Sequence, residues 1–252
     1  LISVFKDLPV SESASAYKKG ASIKKNASHH KDSSYLLKMD FKNFFESIDI
    51  EMIKNHLISC LDVSRLDASA IARICSIDTQ SSPNHHLSIG APSSPILSNS
   101  FLFNFDLEAE QWCKENNCIY TRYADDIFVS TNAKSKTKEA EQLIEKLVNE
   151  LLPGLKLNHK KTKHLSKKFN RTITGLVISN DNEVTLGRDR KREVRKSVFL
   201  YTKGLLEHEQ VEKLQGTLSF AKHIDPVFLS SLQEKFGSDI IGEIFNARRK
   251  TK

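Results

Sequence analysis

The pattern of apolar and polar positions predicts strands and helices that alternate between residues 35 and 165. Apolar residues recur every three or four positions over 50–61 and again over 140–151, which is the spacing of one helical face. Pro153-Gly154 ends the second of these helices. Residues 172–178 and 183–186 are predicted to pair as a hairpin, and the pattern becomes helical from residue 188 onward.

The segment 119–130 carries two adjacent aspartates between apolar β-formers. This arrangement predicts a strand, a two-residue turn and a second strand, with Asp125 and Asp126 at the tip of the hairpin. Considered alone, the segment fits an ordinary surface turn equally well, because acidic turns are common and the match is short.

A third carboxylate favours a functional site. The mostly apolar run 35–40 predicts a buried strand that ends at Asp40, which can lie beside the hairpin in the same sheet. Oxygen ligands of this kind favour Mg²⁺ or Mn²⁺. Two such ions about 4 Å apart can activate a hydroxyl and stabilise a departing pyrophosphate.

Between these segments lies a loop, residues 88–95, that is rich in serine, glycine and proline and leads into a helix. Ser94 is predicted as the N-cap and Pro95 as the first helical residue. Beyond them, apolar positions from Leu97 to Trp112 fall on one helical face. A loop and a helix N-terminus beside a metal site can hold a nucleotide or a template strand.

The order of these segments resembles motifs A, B and C of a reverse transcriptase palm. The matching residues are Asp40 with Phe44-Phe45, Gly90-Ala91-Pro92-Ser93-Ser94-Pro95, and Tyr123-Ala124-Asp125-Asp126. The segment 154–162 is similar to motif D, with Lys161 as its lysine, and 26–30 fits the Asn-Ala-x-x-His signature of retron enzymes. Ile173-Thr174-Gly175 fits their Val-Thr-Gly signature with one change. The chain is therefore identified as a retron-type bacterial reverse transcriptase.

This resemblance implies roles for individual residues. Asp40, Asp125 and Asp126 would bind two Mg²⁺ ions, with Mn²⁺ able to substitute, and Lys161 would assist the departing pyrophosphate. The nucleotide-binding residues would be Phe41, Phe45, Gly90, Ala91 and Pro92, with Phe45 as a steric gate against ribonucleotides. Nucleic acid would contact Asn26, His30, Tyr123, Arg188, Arg190, Lys191, Arg192 and Arg195.

The implied fold is α+β, a right-hand polymerase palm of antiparallel sheet and packed helices followed by a helical thumb. Residues 1–34 would form a connector, 35–187 the palm and 188–252 the thumb. Two departures from the family pattern stand out. Ile89 occupies the position of the usual motif B glutamine, and no match to the fingers segment precedes residue 17, so the fingers are expected to be largely missing from this chain.

Composition agrees with a polyanionic partner. The net charge is +7, the calculated pI is about 9.1, and basic residues form several clusters, most densely from Arg188 to Lys196. Each cluster alone is typical of a solvated helix face. The four cysteines form no Cys-x-x-Cys pair, and no apolar run is long enough to span a membrane, so we expect a cytoplasmic protein.

The implied activity is RNA-directed DNA synthesis that copies a cognate non-coding RNA into a branched RNA–DNA hybrid. The substrates would be deoxynucleoside triphosphates, and an effector protein encoded nearby would act with the enzyme in phage defence. Four alternatives stay open at this point: an RNA-dependent RNA polymerase, a group II intron maturase, a defence-associated reverse transcriptase outside the retrons, and a non-catalytic RNA-binding scaffold.

Overall fold

The computed structural model of the protein describes residues 4–78 and 85–247. It confirms the α+β class, because a four-stranded antiparallel sheet packs against helices and a largely helical region follows. The chain divides into two compact units, Leu1–Thr174 and Gly175–Lys252. The second unit thus begins before the hairpin that the sequence analysis had grouped with the palm.

The first unit contains the sheet. Its helices are α1 (Ile23–His29), α2 (Ile50–Cys60), α3 (Arg65–Ile74), α4 (Ser94–Phe101), α5 (Phe103–Glu115) and α6 (Lys136–Leu151). Its strands are β1 (Tyr35–Asp40), β2 (Ser76–Ile77), β3 (His86–Leu87), β4 (Cys118–Tyr123), β5 (Asp126–Thr131), β6 (Lys163–Ser166) and β7 (Arg171–Ile173). The strands of the main sheet lie in the order β4-β5-β1-β6, with antiparallel pairing throughout.

One face of this sheet forms the main core. Leu37 and Met39 of β1 and Ile127 and Val129 of β5 are fully buried in the same cluster as the inner residues of α5 and α6. Each such side chain contributes about 1.5–3 kcal/mol on burial. Because successive residues of a strand point to opposite faces, the alternate residues of β1 and β5, which include Asp40 and Asp126, point to the other face of the sheet.

The predicted helix from Leu97 to Trp112 is two helices, α4 and α5, which meet at Leu102. The apolar spacing continues across the break, with Leu97, Leu102 and Phe105 all buried, so the pattern gave no sign of it. The helix start is also corrected by one residue. The N-cap is Ser93, whereas the Ser94 hydroxyl donates to the Ser88 carbonyl at 2.7 Å and closes the preceding loop.

The predicted strand 172–178 is likewise interrupted, because Thr174 and Gly175 both have positive φ, 46° and 81°. The second unit begins at this point. Its elements are β8 (Leu176–Ile178), β9 (Val184–Thr185), α7 (Arg188–Thr202), α8 (His208–Ile224), α9 (Pro226–Phe236) and α10 (Ser238–Asn246). β8 and β9 pair antiparallel. Residues 248–252 of the predicted thumb lie outside the described residues, and within the described ranges no helix has the length and apolarity needed to cross a bilayer.

Candidate active site

The catalytic carboxylates predicted from the sequence lie at one end of the main sheet. Asp40, the last residue of β1, is the register partner of Asp126, the first residue of β5. Tyr123 is the opposite partner of Asp126, so the two turn residues are Ala124 and Asp125. The turn is therefore shifted by one residue from the prediction. Ala124 takes the left-handed conformation that this tight turn requires, with φ of 56°.

The electrostatics of Asp125 reflect the proximity of the other two carboxylates. Burial raises the pKa of Asp125, and the charges of Asp126 and Asp40 raise that pKa further. Lys161 acts in the opposite direction. Like charges held together in this way are stabilised in their ionised form by a cation.

Two lysines contact these carboxylates. The Lys161 ammonium lies 3.0 Å from both carboxylate oxygens of Asp40, and the Lys38 ammonium lies 2.9 Å from Asp126 Oδ1. The hydrogen bond to Asp40 raises the pKa of Lys161. Because the Lys161 side chain is 59% exposed, this ion pair adds little to folding stability.

Backbone hydrogen bonds hold the segment that carries Lys161 against β1. The Asn158 amide donates to the Asp40 carbonyl at 2.8 Å, and the Lys42 amide donates to the Lys156 carbonyl at 2.8 Å. The Lys161 amide then donates to the Asn158 carbonyl at 2.9 Å and forms a turn. The main chain thus positions the Lys161 side chain beside Asp40.

The donor set fits a hard divalent cation bound in an open site. Of the two Asp40 oxygens near Lys161, only Oδ2 accepts a hydrogen bond with good geometry, and the buried Oδ1 has no hydrogen-bond partner. Within residues 4–78 and 85–247, no three His, Cys, Asp or Glu side chains are placed so that they could hold a metal ion by themselves. A divalent cation at Asp40 would therefore need water or substrate phosphates to complete its shell.

The aromatic residues after Asp40 divide into a core group and an accessible one. Phe41 is 2% exposed, and its ring stacks on that of Phe44 at 5.5 Å between centroids. The Phe41 ring fills the core beside Phe105, so the prediction that Phe41 binds a nucleotide can apply only to its main chain. Phe45 is only partly buried, and its ring lies 5.2 Å from that of Phe44.

The Gly90-Ala91-Pro92 loop is open to solvent. Gly90 has φ of 86°, and Gly90 and Pro92 are exposed while Ala91 is partly so. Ile89, at the position of the usual glutamine, is 69% exposed. Because the Ile89 side chain is exposed to solvent, it offers an incoming molecule an apolar surface but no hydrogen-bond donor or acceptor.

Asn26 and His30 lie inside the first unit. The His30 ring bonds Ser130 Oγ at 2.7 Å through Nδ1 and Thr121 Oγ1 at 2.8 Å through Nε2. The Thr121 hydroxyl donates to Asn26 Oδ1 at 2.7 Å, and burial lowers the pKa of His30 to about 3. The prediction that these side chains contact nucleic acid is corrected, because they are at most 1% exposed and instead join α1 to β4 and β5.

A buried ion pair that was not predicted from the sequence lies beneath the turn between β4 and β5. Arg122 is fully buried and donates to both carboxylate oxygens of Asp106, at 2.8 and 2.6 Å. Its Nη1 also donates to the Ala124 carbonyl at 2.8 Å and to Asn99 Oδ1 at 3.1 Å. Burial opposes the charge of Arg122, but Asp106 raises its pKa overall. Arg122 thus links the turn to α4 and α5. Side chains alternate between the two faces of β4, and this alternation places Arg122 on the face that packs against those helices, so the sequence pattern could have identified it as buried.

Tyr17 is a second residue that the sequence analysis did not select. It is 52% exposed and has φ of 61°, an uncommon conformation for an aromatic residue. Burial and the nearby Asp125 and Tyr123 raise the pKa of Tyr17. Its neighbour is fixed, since Asn99 Nδ2 donates to the Ala16 carbonyl at 3.0 Å, so Tyr17 is held beside the turn. Tyr123 itself is only partly buried.

In the second unit, the predicted basic residues lie on α7. Arg188, Arg190, Arg192 and Arg195 are exposed. Lys191 is not, because its ammonium lies 2.7 Å from Asp225, whose carboxylate also caps α9. The contact of Lys191 with nucleic acid stays a prediction, and it would require Lys191 to exchange this ion pair for a phosphate.

Comparison with known proteins agrees with this geometry. A family model described as reverse transcriptase (RNA-dependent DNA polymerase) matches residues 3–187. The Retron Ec83 reverse transcriptase of Escherichia coli is 36% identical over 239 residues, which cover 93% of this chain and 77% of that protein. The Retron Ec73 reverse transcriptase of Escherichia coli is 34% identical over 250 residues, covering 94% and 78% respectively.

Among solved structures, a telomerase from Candida albicans in complex with a fragment of telomeric RNA superposes with a TM-score of 0.52 at 11% identity. Apo telomerase from Candida tropicalis gives 0.51 at 12% identity. Both matches cover 92% of this chain, which spans only about half of each telomerase chain, 48% and 47%. These likenesses concern the fold alone and confirm the predicted polymerase palm. The chain belongs to the reverse transcriptase family, as an RNA-directed DNA polymerase of the retron-type bacterial branch.

Proposed function

We propose that this polymerase copies the non-coding RNA of a retron into a branched RNA–DNA hybrid. The observation that carries the proposal is the meeting of Asp40, Asp125 and Asp126 at one end of the sheet, in a chain whose relatives are retron reverse transcriptases. Substrates would be deoxynucleoside triphosphates.

Asp40, Asp125 and Asp126 would hold two Mg²⁺ ions, with Mn²⁺ able to substitute. When bound, these ions lower the pKa of the attacking hydroxyl and offset charge on the transferred phosphate. The buried Asp40 Oδ1, which pairs with the Lys161 charge but accepts no hydrogen bond, and the raised pKa of Asp125 support this assignment. Lys38 and Lys161, which pair with Asp126 and Asp40 in the structure, would exchange these contacts for contacts with substrate phosphates.

Lys161 would supply a proton to the departing pyrophosphate. An exposed lysine is protonated at neutral pH, and the backbone of 156–161 holds the Lys161 ammonium beside Asp40. A protonated, exposed lysine next to the metal-binding carboxylates has both the charge and the freedom to reach a leaving group.

Phe45 would select the sugar of the incoming nucleotide, with Gly90, Ala91 and Pro92 on the opposite side of the nucleotide. The partial exposure of Phe45 supports this role, and its ring would collide with a ribose 2′-hydroxyl. Packing of Phe45 on Phe44 limits its movement, which a steric gate requires. Ile89 would contact the nucleotide only through apolar packing.

Nucleic acid would contact Tyr123 near the turn and the exposed arginines of α7, namely Arg188, Arg190, Arg192 and Arg195. The guanidinium groups of Arg190 and Arg195 lie over the rings of Phe220 and Phe228, at 5.7 and 5.0 Å, which restrains them in place. Exposed, restrained guanidinium groups suit phosphate contacts. The partner would be the cognate retron RNA with its DNA product, and an effector protein encoded nearby would couple synthesis to phage defence.

The test is to purify the protein from cells that carry its genomic locus and to analyse the nucleic acid bound to it. RNase, DNase and debranching enzyme are applied separately, beside a variant with Asp125→Asn and Asp126→Asn. A short DNA of defined length joined to RNA, absent from the variant, is the expected result. RNA without DNA in both samples, or unbranched DNA of mixed lengths, would contradict the proposal.

A further inference from the structure

A basic groove lies at the end of the sheet opposite the carboxylates. The groove has a volume of about 980 Å³ and is lined by Tyr35, Lys134, Lys138, His164, Lys167, Lys168 and Phe169, among others. Tyr35 begins β1 and Asp40 ends it. At about 3.3 Å per residue, the two ends of this strand are about 17 Å apart. The basic groove is therefore a separate site from the active site.

The charge of the basic groove is positive and unneutralised. Lys134, Lys138, Lys167 and Lys168 are all exposed, and none forms an ion pair with another part of the chain described here, residues 4–78 and 85–247. The lining includes no aspartate or glutamate among those residues. His164 bonds Glu141 at 2.9 Å, and this carboxylate lies outside the lining. Four lysines around one concavity favour a polyanion.

Phe169 adds an aromatic surface to these charges. Its side chain is 65% exposed although a phenylalanine is normally buried. The turn between β6 and β7 holds it, because the Phe169 amide donates to the Ser166 carbonyl at 2.8 Å. Lys167 and Lys168 precede it in the same turn. A fixed aromatic ring flanked by lysines is the arrangement on which an unpaired base stacks while its phosphates meet the charges.

We infer that the basic groove binds a single-stranded segment of RNA, with a base on Phe169 and phosphates on Lys134, Lys138, Lys167 and Lys168. This inference extends the proposed function, on which it rests for the presence of RNA. RNA held here would lie about 17 Å from the site of synthesis, outside the duplex that the carboxylates act on. The groove would thus anchor a part of the RNA that is not being copied.

The test measures the affinity of the full chain for a fluorescent single-stranded RNA of about 20 nucleotides, without nucleotides or divalent metal. Phe169→Leu removes the ring and should weaken binding at least about fivefold, whereas Phe169→Tyr should retain it. Lys167→Ala with Lys168→Ala should reduce the slope of log affinity against log salt by about 1.4, the expected loss for two phosphate contacts on a single strand.

The matched control is Lys114→Ala with Lys146→Ala, two lysines exposed elsewhere on the first unit, and it should leave affinity nearly unchanged. Thermal melting confirms that each variant folds. Affinity equal to the wild type in Phe169→Leu and in the double lysine variant would overturn the inference, and an equal loss of duplex RNA binding would overturn the single-strand assignment. Because RNA binding is measured without DNA synthesis, the proposed RNA site can fail while the polymerase proposal stands. The polymerase proposal can likewise fail while the RNA site stands.

Discussion

Asp40, Asp125 and Asp126 have different surroundings although all three belong to one site. Asp40 is nearly buried and bonded by Lys161, Asp126 is paired with Lys38, and Asp125 is at the turn, where burial and two neighbouring charges raise its pKa. The order of these residues in the sequence predicted that they lie together at one end of the sheet, as the structure has them. The pairing lysine Lys38 could not be predicted, because strand register decides which side chains meet across a sheet.

Replacing Phe45 with Ala tests the proposed steric gate. Removal of the ring opens space for a ribose 2′-hydroxyl, so we expect the ratio of ribonucleotide to deoxynucleotide incorporation to rise about tenfold or more. Single-nucleotide extension on an RNA template measures this ratio. Phe45→Tyr keeps the ring and serves as the control, and a ratio that stays constant in Phe45→Ala would assign Phe45 to packing alone.

Replacing Lys161 with Ala removes the proposed proton donor. We expect kcat to fall about 100-fold or more while the KM for the nucleotide changes little, since general acid catalysis acts in the transition state. Lys161→Arg keeps the charge and should recover only part of the rate. A proportional rise in KM with kcat unchanged in Lys161→Ala would instead assign Lys161 to nucleotide binding.

At the scale of elements, the buried Arg122 connects three pieces of the first unit. It joins α5 through Asp106, α4 through Asn99, and the catalytic turn through the Ala124 carbonyl. The Arg122 amide donates to the Ser13 carbonyl at 2.9 Å, and the Ser15 amide donates to the Arg122 carbonyl at 2.7 Å. These two hydrogen bonds cover the outer edge of β4. The position of the turn therefore depends on contacts that lie behind the sheet.

Arg122→Lys should lower kcat more than it changes KM, because a single ammonium lacks the planar fork with which Arg122 reaches both Asp106 oxygens, Asn99 and the Ala124 carbonyl, so the turn would lose part of its support. Arg122→Gln, which leaves the buried Asp106 carboxylate with the Tyr120 hydrogen bond but no positive charge beside it, should reduce the free energy of unfolding by about 3–5 kcal/mol. Steady-state kinetics and denaturant unfolding measure the two effects. Arg65→Lys, on the exposed start of α3, is the matched control, and full activity in Arg122→Lys would refute the positioning role.

Burial of His30 between α1 and the sheet makes the free energy of unfolding depend on pH. The pKa of His30 is lowered to about 3 in the fold against 6.5 for the free side chain, so only the unfolded chain takes up this proton as pH falls below about 6.5. We expect His30 to reduce the free energy of unfolding by about 2 kcal/mol between pH 7 and pH 5.

His30→Gln removes this proton uptake, so its stability should depend less steeply on pH than that of the wild type. Urea unfolding at several pH values measures the difference. His29→Gln, at the exposed neighbour, should retain the wild-type slope. The half-buried His56, whose pKa desolvation lowers to about 4, contributes equally to all three proteins. Equal slopes for His30→Gln and the wild type would contradict the assignment.

The elements themselves show what periodicity can and cannot predict. Strands β1, β4 and β5 and helices α2 and α6 follow apolar patterns of period two or 3.6 and were predicted close to their observed positions. The break between α4 and α5 escaped prediction, because both helices bury residues in the same apolar series. The signature residues Asn26 and His30 were assigned to nucleic acid because sequence alone does not tell a buried polar network from an exposed one.

At the scale of the whole molecule, the positive net charge of +7 is distributed over surfaces with different roles. Lys161 and Lys38 meet the carboxylates, Lys191 is paired within the second unit, and the lysines of the basic groove have no partner in the described chain. Composition predicted a polyanionic partner, but which basic residues are available to it depends on tertiary ion pairs that composition does not report.

Primer extension on an RNA template with deoxynucleotides and Mg²⁺ tests whether Asp40, Asp125 and Asp126 support metal-dependent DNA synthesis. The wild-type protein should extend the primer and stop when the metal is chelated, and Asp40→Asn and Asp126→Asn should each lower the rate by at least about 100-fold. Asp32→Asn, an exposed aspartate outside the site, should extend at the wild-type rate. Extension by Asp126→Asn at the wild-type rate, or extension without divalent metal, would contradict the account.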